Sequence, residues 1–334
     1  MPKLFYKDLW GKRADKYKFL ESNDVTTIHW QELNSTEPYY FFVPKDFSLK
    51  EEYERFWSVK DIFIQFSSGV KTHRDHFIVG FTKEEVANKI RIFTGTLDDD
   101  TVKESLKLKD TRDWKLSNAR VKLKTVKWKD VIIPYAYRAF DQRYICYCID
   151  KKIPNLKPEF LNAIKKSIGF EPTLSEIFYY IYAVLYSPTY RKKYQEFLKI
   201  DFPRIPLPEN QNSFKTLSNL GKKLVDLHLL KSEIFNLQST ITVGYPIQGT
   251  DKVEKVKYLN GRIYINKEQY FENIHDDVWN YHIGSYQVLE KFLKDRKGRT
   301  LSLDEIQRYL KIIFSISSTL EIQKGIDKII TRED

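Results

Sequence analysis

The sequence predicts an α+β protein in two parts. The first is a mostly β N-terminal subdomain with short helices, residues 1–155; the second is a mostly helical C-terminal subdomain, residues 156–334, with one β-hairpin near 253–266. Three observations support this. The 334 residues exceed what a single hydrophobic core comfortably organises, so two packed subdomains are expected. Apolar residues make up 42 % of the chain and aromatic ones 15 %, enough for substantial burial. Near Lys157 the pattern changes from short runs broken by Pro, Gly and Asn to helical spacing.

In the first part, residues 26–30, 39–43, 76–81, 131–137 and 144–149 read as strands, with helices expected at 49–57 and 83–93. Residues 121–129 (VKLKTVKWK) alternate like a half-buried strand whose phase slips once between Lys124 and Lys127, where a bulge would fit. Such a strand would show a row of ammonium groups on one face and pack Val121, Leu123 and Trp128 from the other. The alternative is a solvated, lysine-covered face.

In the second part, Thr173 and Glu176 form a T-x-x-E capping box that opens a helix over 174–186 (LSEIFYYIYAVLY), apolar all round and therefore expected in the core. Ser187-Pro188-Thr189 breaks it and starts a basic helix over 190–199. Pro203, Pro206 and Pro208 force an extended connection. Leu217, Leu220, Leu224 and Leu227 give the next helix one apolar stripe, and Asn260-Gly261 is a strong hairpin signal between 253–259 and 262–266. Ser302 and Glu305 open a last helix whose Ile306, Leu310, Ile313 and Leu320 face a core or a partner.

Fifty-six Lys and Arg against 45 Asp and Glu leave a formal charge of +11. Charge of this size attracts polyanions and supplies the sequence-independent part of nucleic-acid binding, although a lysine-rich composition alone would also produce it. The excess is concentrated in residues 103–129, where ten cations face only Glu104, Asp110 and Asp113.

Several chemistries are excluded by missing motifs. The chain has no G-x-x-x-x-G-K-[ST] phosphate loop, no serine elbow and no nucleophilic cysteine constellation. An amino-methyltransferase needs an Asp/Asn-Pro-Pro-aromatic loop for the flipped base and a glycine-rich cofactor loop. Glu37-Pro38-Tyr39-Tyr40 has one proline too few, and Phe93-Thr94-Gly95-Thr96 stands alone. Cys146 and Cys148 would lie side by side on a strand, a poor arrangement for a disulfide, and His73 with His76 is an isolated pair, so no metal is expected. Asp98-Asp99-Asp100 reads as an acidic turn before it reads as a cation site. No apolar run reaches the roughly 20 residues of a membrane span, and residues 1–7 lack a signal-peptide core, so a cytoplasmic location is expected.

Two clusters carry candidate binding chemistry. Residues 66–75 (FSSGVKTHRD) form a glycine-containing loop in which Lys71, Thr72, His73, Arg74 and Asp75 could contact phosphate and bases, since Arg, Lys, Ser and Thr donate to backbone oxygens. In 135–144 (YAYRAFDQRY), aromatic residues interleave with Arg138, Asp141 and Arg143. A turn at Asp141-Gln142 would bring the two arginines together, and Asp141 would either hold an arginine or bond a base. Arg120, Lys122, Lys124, Lys127 and Lys129 of the basic segment complete the candidate DNA contacts.

The runs SSGVKTHRD (67–75), YRAFDQRY (137–144), YIYAVLYSPTYRKKYQEFLKIDFPRIPLP (180–208), LGKKLVDLHLL (220–230) and VWNYHIGSYQVLEKFLKDRKGRTLS (278–302) resemble, in order, the C-terminal region of Type ISP restriction-modification enzymes. The resemblance covers nearly the whole chain, and its two long runs are very specific. It implies an α+β target-recognition region that clasps duplex DNA against a methyltransferase acting at adenine N6. The S-adenosylmethionine site of that methyltransferase would lie outside this chain. The family usually reads Tyr-Arg-Pro-Phe-Asp where this chain has Ala139, which loosens the expected turn while keeping Arg138, Asp141 and Arg143. The resulting expectation is sequence-specific duplex DNA binding without catalysis. The alternatives are an interaction module that docks onto a separately encoded methyltransferase through an exposed stripe of the last helix, or a truncated remnant without independent DNA binding.

Overall fold

The computed structural model describes residues 3–37, 39–66, 69–70, 72–147, 155–231 and 243–331. Helices and small sheets mix throughout, as an α+β chain should. Strand β1 (Leu4–Tyr6) pairs antiparallel with β2 (Gln31–Leu33) across α1 (Arg13–Ser22), a helix with no buried residue. Then follow α2 (Lys50–Glu54), β3 (Trp57–Ser58), α3 (Val59–Ile62), α4 (Asp75–Ile78) and β4 (Val79–Gly80). Helices α5 (Lys83–Thr94), α6 (Asp99–Leu106) and α7 (Leu116–Lys124) lead into the hairpin β5 (Ile132–Arg138) and β6 (Asp141–Cys146). Strand β6 is central in the order β4-β6-β5, and α5, α6 and α7 cover that sheet with Val86, Ile90, Phe93, Val102 and Leu116 packed on Phe77 and Ile132.

Residues 1–147 are thus more helical than expected, and each difference has a local cause. Residues 26–30 form a turn because the Asp24 carboxylate accepts from the Thr26 and Thr27 amides and competes with any ladder. Residues 39–43 pair with no strand among the described residues, and 76–81 divide between α4 and β4. Residues 121–129 form no strand: they are the last turns of α7 followed by a 3-10 turn at Trp128–Val131. Leu116, Arg120 and Leu123 recur at helical spacing on the inner face, leaving Val121 67 % exposed among the lysines. Alternation over a few residues does not distinguish that arrangement from a strand. Cys148 lies outside the described residues, and Cys146 is half-buried against the α5–α7 cluster.

The second cluster is helical: α8 (Pro158–Ile168), α9 (Leu174–Tyr186), α10 (Pro188–Lys193), α11 (Gln195–Leu198), strand β7 (Arg204–Ile205) and α12 (Gln211–His228). The Thr173–Glu176 capping box opens α9 as expected, although Leu174 and Phe178 are 44 % and 47 % exposed, so this apolar helix is not wholly buried. The basic helix is split at Tyr194 into α10 and α11. Within the proline segment, β7 pairs with β3, which draws Tyr53, Trp57 and Ile62 into this cluster beside Phe160 and Ile205. Residues 49–63 therefore pack with the helical scaffold and not with the hairpin layer.

The third cluster contains β8 (Lys257–Leu259), β9 (Arg262–Tyr264) and β10 (Tyr270–Phe271), then α13 (Asp276–Trp279), the two-residue strands β11 (His282–Ile283) and β12 (Tyr286–Gln287), α14 (Val288–Lys294) and the long α15 (Leu303–Ile330). Asn260 and Gly261 both take positive φ, 50° and 74°, the geometry that a tight β8–β9 turn requires. The Ser302–Glu305 capping box opens α15. Its stripe is covered by the chain itself: Ile306, Tyr309, Ile312, Ile313 and Ile316 are buried in this cluster, and Ile326 reaches the helical one. Of the expected stripe, Ile306 and Ile313 are buried and Leu310 and Leu320 are half-buried against the same cluster, so these four side chains pack on the chain itself. No helix among the described residues is long and apolar enough to cross a membrane.

Two contacts fix the scaffold. Where α9 crosses α12, the Ser218 hydroxyl donates to the Glu176 carbonyl at 2.8 Å, and a Cβ at Gly221 would lie 1.9 Å from the Tyr179 carbonyl oxygen. At the end of α12, His228 is buried between the Tyr182 hydroxyl at Nδ1, 2.7 Å, and Thr319 at Nε2, 3.2 Å. Because Thr319 already donates to the Ser315 carbonyl, Nε2–H donates to Thr319 and Nδ1 accepts from Tyr182. Burial, assisted by the Arg191 charge, lowers His228 from 6.5 to about 3 and keeps it neutral.

Gly221→Ala is expected to cost roughly 1–3 kcal/mol by forcing the helices apart; an unchanged denaturation midpoint would contradict the crossing. For His228, the unfolded state holds the extra proton between about 3 and 6.5, so stability is full above pH 6.5 and falls as pH drops through that window. In urea titrations from pH 7 to 4, His228→Gln should lose less stability than the unaltered chain. Parallel losses would sink this assignment.

Candidate nucleic-acid interface

The β5–β6 hairpin closes through Ala139-Phe140, two residues earlier than the expected turn at Asp141-Gln142. Phe140 takes φ 65° and is 2 % exposed, its ring edge-on to His228 at 5.0 Å and to Tyr281 at 6.5 Å. Its amide donates to the His228 carbonyl at 2.9 Å, and its carbonyl accepts from Arg308 at 3.3 Å. The Gln142 side chain donates to the Leu229 carbonyl at 2.6 Å. Main-chain bonds and a buried ring thus bolt the tip to the scaffold.

Above the tip, the two candidate motifs meet. Tyr137 donates its hydroxyl to Asp75 at 2.8 Å, and the Thr72 hydroxyl donates to the other carboxylate oxygen. The Thr72 bond, with that of Tyr137, holds Asp75 below the usual carboxylate range despite its partial burial. Arg143 donates from Nε at 3.1 Å and from Nη2 at 2.7 Å to Asp141, while its guanidinium lies 4.0 Å from the Tyr137 ring and 4.6 Å from the Phe81 ring. Arg138 is exposed, with its guanidinium 5.2 Å from Tyr137 and 4.8 Å from Tyr286. Of the two roles open to Asp141, the structure shows the first: it holds an arginine. Arg74 stacks on Trp114 at 3.9 Å, and His73 is exposed with φ 54°. Lys71 lies outside the described residues.

The basic segment lies on a helix. Lys122 and Lys124 are exposed on α7, and Lys127 and Lys129 in the turn after it, Lys129 standing 5.8 Å from the Trp128 ring. Arg120 does not join them. It is 7 % exposed, pairs with Asp99 and donates to the carbonyls of Phe93 at 2.8 Å, Gly95 at 2.8 Å and Leu97 at 2.7 Å. The turn that came nearest to a cofactor loop is therefore the seat of a structural guanidinium. The acidic turn is structural too: Asp98 caps α6 by accepting from the Asp100 and Thr101 amides.

Sequence reading missed Phe81, Trp114, Tyr286 and Arg308. Tyr286 lies within a family-like run, but the other three carry no local signal, since each acts through a partner distant in sequence.

The chain matches the sequence profile of the Type ISP C-terminal specificity domain over residues 61–150 and 148–324. It belongs to that family. Three solved structures share the specificity domain's fold. The nuclease-deletion mutant of the Type ISP restriction-modification enzyme LlaGI, in complex with a DNA substrate mimic, matches 97 % of this chain at 20 % identity and TM-score 0.64. The DrdV–DNA complex matches 97 % at 18 % identity and 0.69, and the ATP-dependent Type ISP enzyme LlaBIII bound to DNA matches 91 % at 16 % identity and 0.63. The specificity domain spans 33 %, 43 % and 26 % of those chains respectively. No curated protein sequence matches it.

Arg120→Leu is expected to lower stability by several kcal/mol, because Asp99 and three carbonyls lose their shared donor. Lys124→Gln should leave stability within about 0.5 kcal/mol. Equal effects of the two on thermal unfolding would overturn the distinction between buried and surface cations.

Proposed function

We propose that this specificity domain recognises duplex DNA in a sequence-specific manner for a restriction-modification enzyme and performs no catalysis itself. The observation that carries the reading is the convergence of Arg138 and Arg143 with Thr72 and Asp75 on one surface, with the guanidiniums stacked on rings before any ligand arrives. Preorganised cations spend little side-chain entropy on binding. The +11 charge supplies long-range attraction, and the three solved structures of similar fold hold DNA or a DNA mimic.

The proposed DNA contacts are Lys71, Thr72, His73, Arg74, Arg138 and Arg143 around the hairpin, with Lys122, Lys124, Lys127 and Lys129 on and after α7. Asp75 and Asp141 act by orienting these groups, and Arg120 is reassigned to the interior. The proposed partner is a methyltransferase domain or subunit, which would carry S-adenosylmethionine and the adenine N6 chemistry. The protein is proposed to work in the cytoplasm, where such DNA is found.

Fluorescence anisotropy with labelled duplexes tests the reading. Four or more phosphate contacts, each contributing roughly −0.9 to the slope of log affinity against log salt, weaken binding at least about a hundredfold between about 50 and 200 mM salt. Affinity indifferent to salt would exclude the proposal.

A further inference from the structure

We propose that Arg143 is a preformed clamp for one backbone phosphate of the DNA and that Asp141 is its positioning residue; this rests on the duplex-DNA reading above. A guanidinium offers five N–H donors along two forked edges. Asp141 occupies the edge formed by Nε and Nη2, at 3.1 and 2.7 Å. The Tyr137 and Phe81 rings lie against the guanidinium at 4.0 and 4.6 Å. What remains is the end edge, one Nη1 hydrogen and the second of Nη2, for which no bond is found among the described residues. That edge donates best to a group with two acceptors lying in the guanidinium plane.

The surroundings select an anion. Arg138 and Arg308 flank the same hairpin tip, and Lys291 lines the small cavity beside it, about 50 Å³, where Asp295 is already paired with Lys291. Asp141 is shared between Arg143 and, at 3.8 Å, Arg308. Positive charge is therefore in excess.

Shape then separates a phosphate from a guanine edge, which presents a similar pair of acceptors. The Arg143 side chain is only 22 % exposed, and the hairpin cannot advance into a groove because Phe140 fixes its tip in the scaffold. Base edges lie at the floor of a major groove roughly 8.5 Å deep, whereas phosphates stand on the outer rim of the duplex. A recessed, immobile fork meets the rim. Such a contact carries no sequence information and fixes the register of the duplex on the domain.

The test uses the full 334-residue chain, a pool of random-sequence duplexes titrated across a salt series, and sequencing of the bound fraction. Arg143→Gln should weaken binding roughly tenfold for all sequences and make the salt slope shallower by about 0.9. Arg143→Lys keeps the charge without the fork; it should restore the slope and only part of the affinity. Asp141→Asn discriminates by sign. Loss of a negative charge near DNA would by itself tighten binding, whereas loss of positioning weakens it a few fold, and the weakening should vanish in the Arg143→Gln background. An unchanged slope in Arg143→Gln, a shifted preference at one base pair, or tighter binding by Asp141→Asn would each overturn the clamp while leaving DNA recognition standing. No binding by the unaltered chain would remove both.

Discussion

The burial of Phe140 is the constraint on which the remaining geometry depends. Its ring enters a site made by His228 from the end of α12 and Tyr281 from the segment after α13, and its carbonyl is held by Arg308 of α15. One residue in the left-handed region thus ties the hairpin layer to both other clusters. A positive φ at a non-glycine residue costs about a kilocalorie or more, and it persists here because the buried ring, the amide bond to the His228 carbonyl and the Arg308 side-chain bond to the Phe140 carbonyl over-determine it. The proline expected from the resemblance would occupy position 139, the first residue of that turn. Ala139 gives up the rigidity, and the fixing contacts come from the scaffold.

The neutrality of His228 extends the same junction inward. A charged imidazole could not sit between Phe140, Tyr182 and Tyr186 without a counter-ion, and Arg191, stacked on Tyr186, opposes the extra proton. The neutral ring instead links α9 to α15 through one accepted and one donated bond. Polar side chains thereby set how the helices meet at a point that apolar packing alone would leave free to slide.

Much of the scaffold was legible in the sequence because its signals are local. Capping boxes at Thr173 and Ser302 name the first turn of their helices, and Asn260-Gly261 names its turn, since each motif satisfies its own backbone groups within four residues. Residues 121–129 failed for the complementary reason. A helix with lysines outward and Leu123 inward alternates over short windows much as a strand does, and the deciding partner, the Asp99–Arg120 pair, spans 21 residues. The candidate site was half legible. Both motifs were visible, but their meeting depends on the Tyr137–Asp75 bond across 62 positions, and the rings that clamp the arginines carry no mark of it.

Charge shows the same limit. The window 103–129 reads as ten cations against three acids, yet folding brings Asp98, Asp99 and Asp100 onto it, through the α6 cap, the Arg120 pair and the Lys103 pair. Counted from 98 to 129, the same ten cations face six carboxylates, a net of +4. Two of the ten are also held close to carboxylates, Lys103 beside Asp110 and Arg112 beside Asp113. The field of this face therefore rests on the seven exposed lysines at 107, 109, 115, 122, 124, 127 and 129, for which no ion pair is found among the described residues. A polyanion approaching the domain meets those lysines in open water, where salt screens them. It meets Arg143 in a half-buried ring stack, where screening is weaker and geometry decides what can bind.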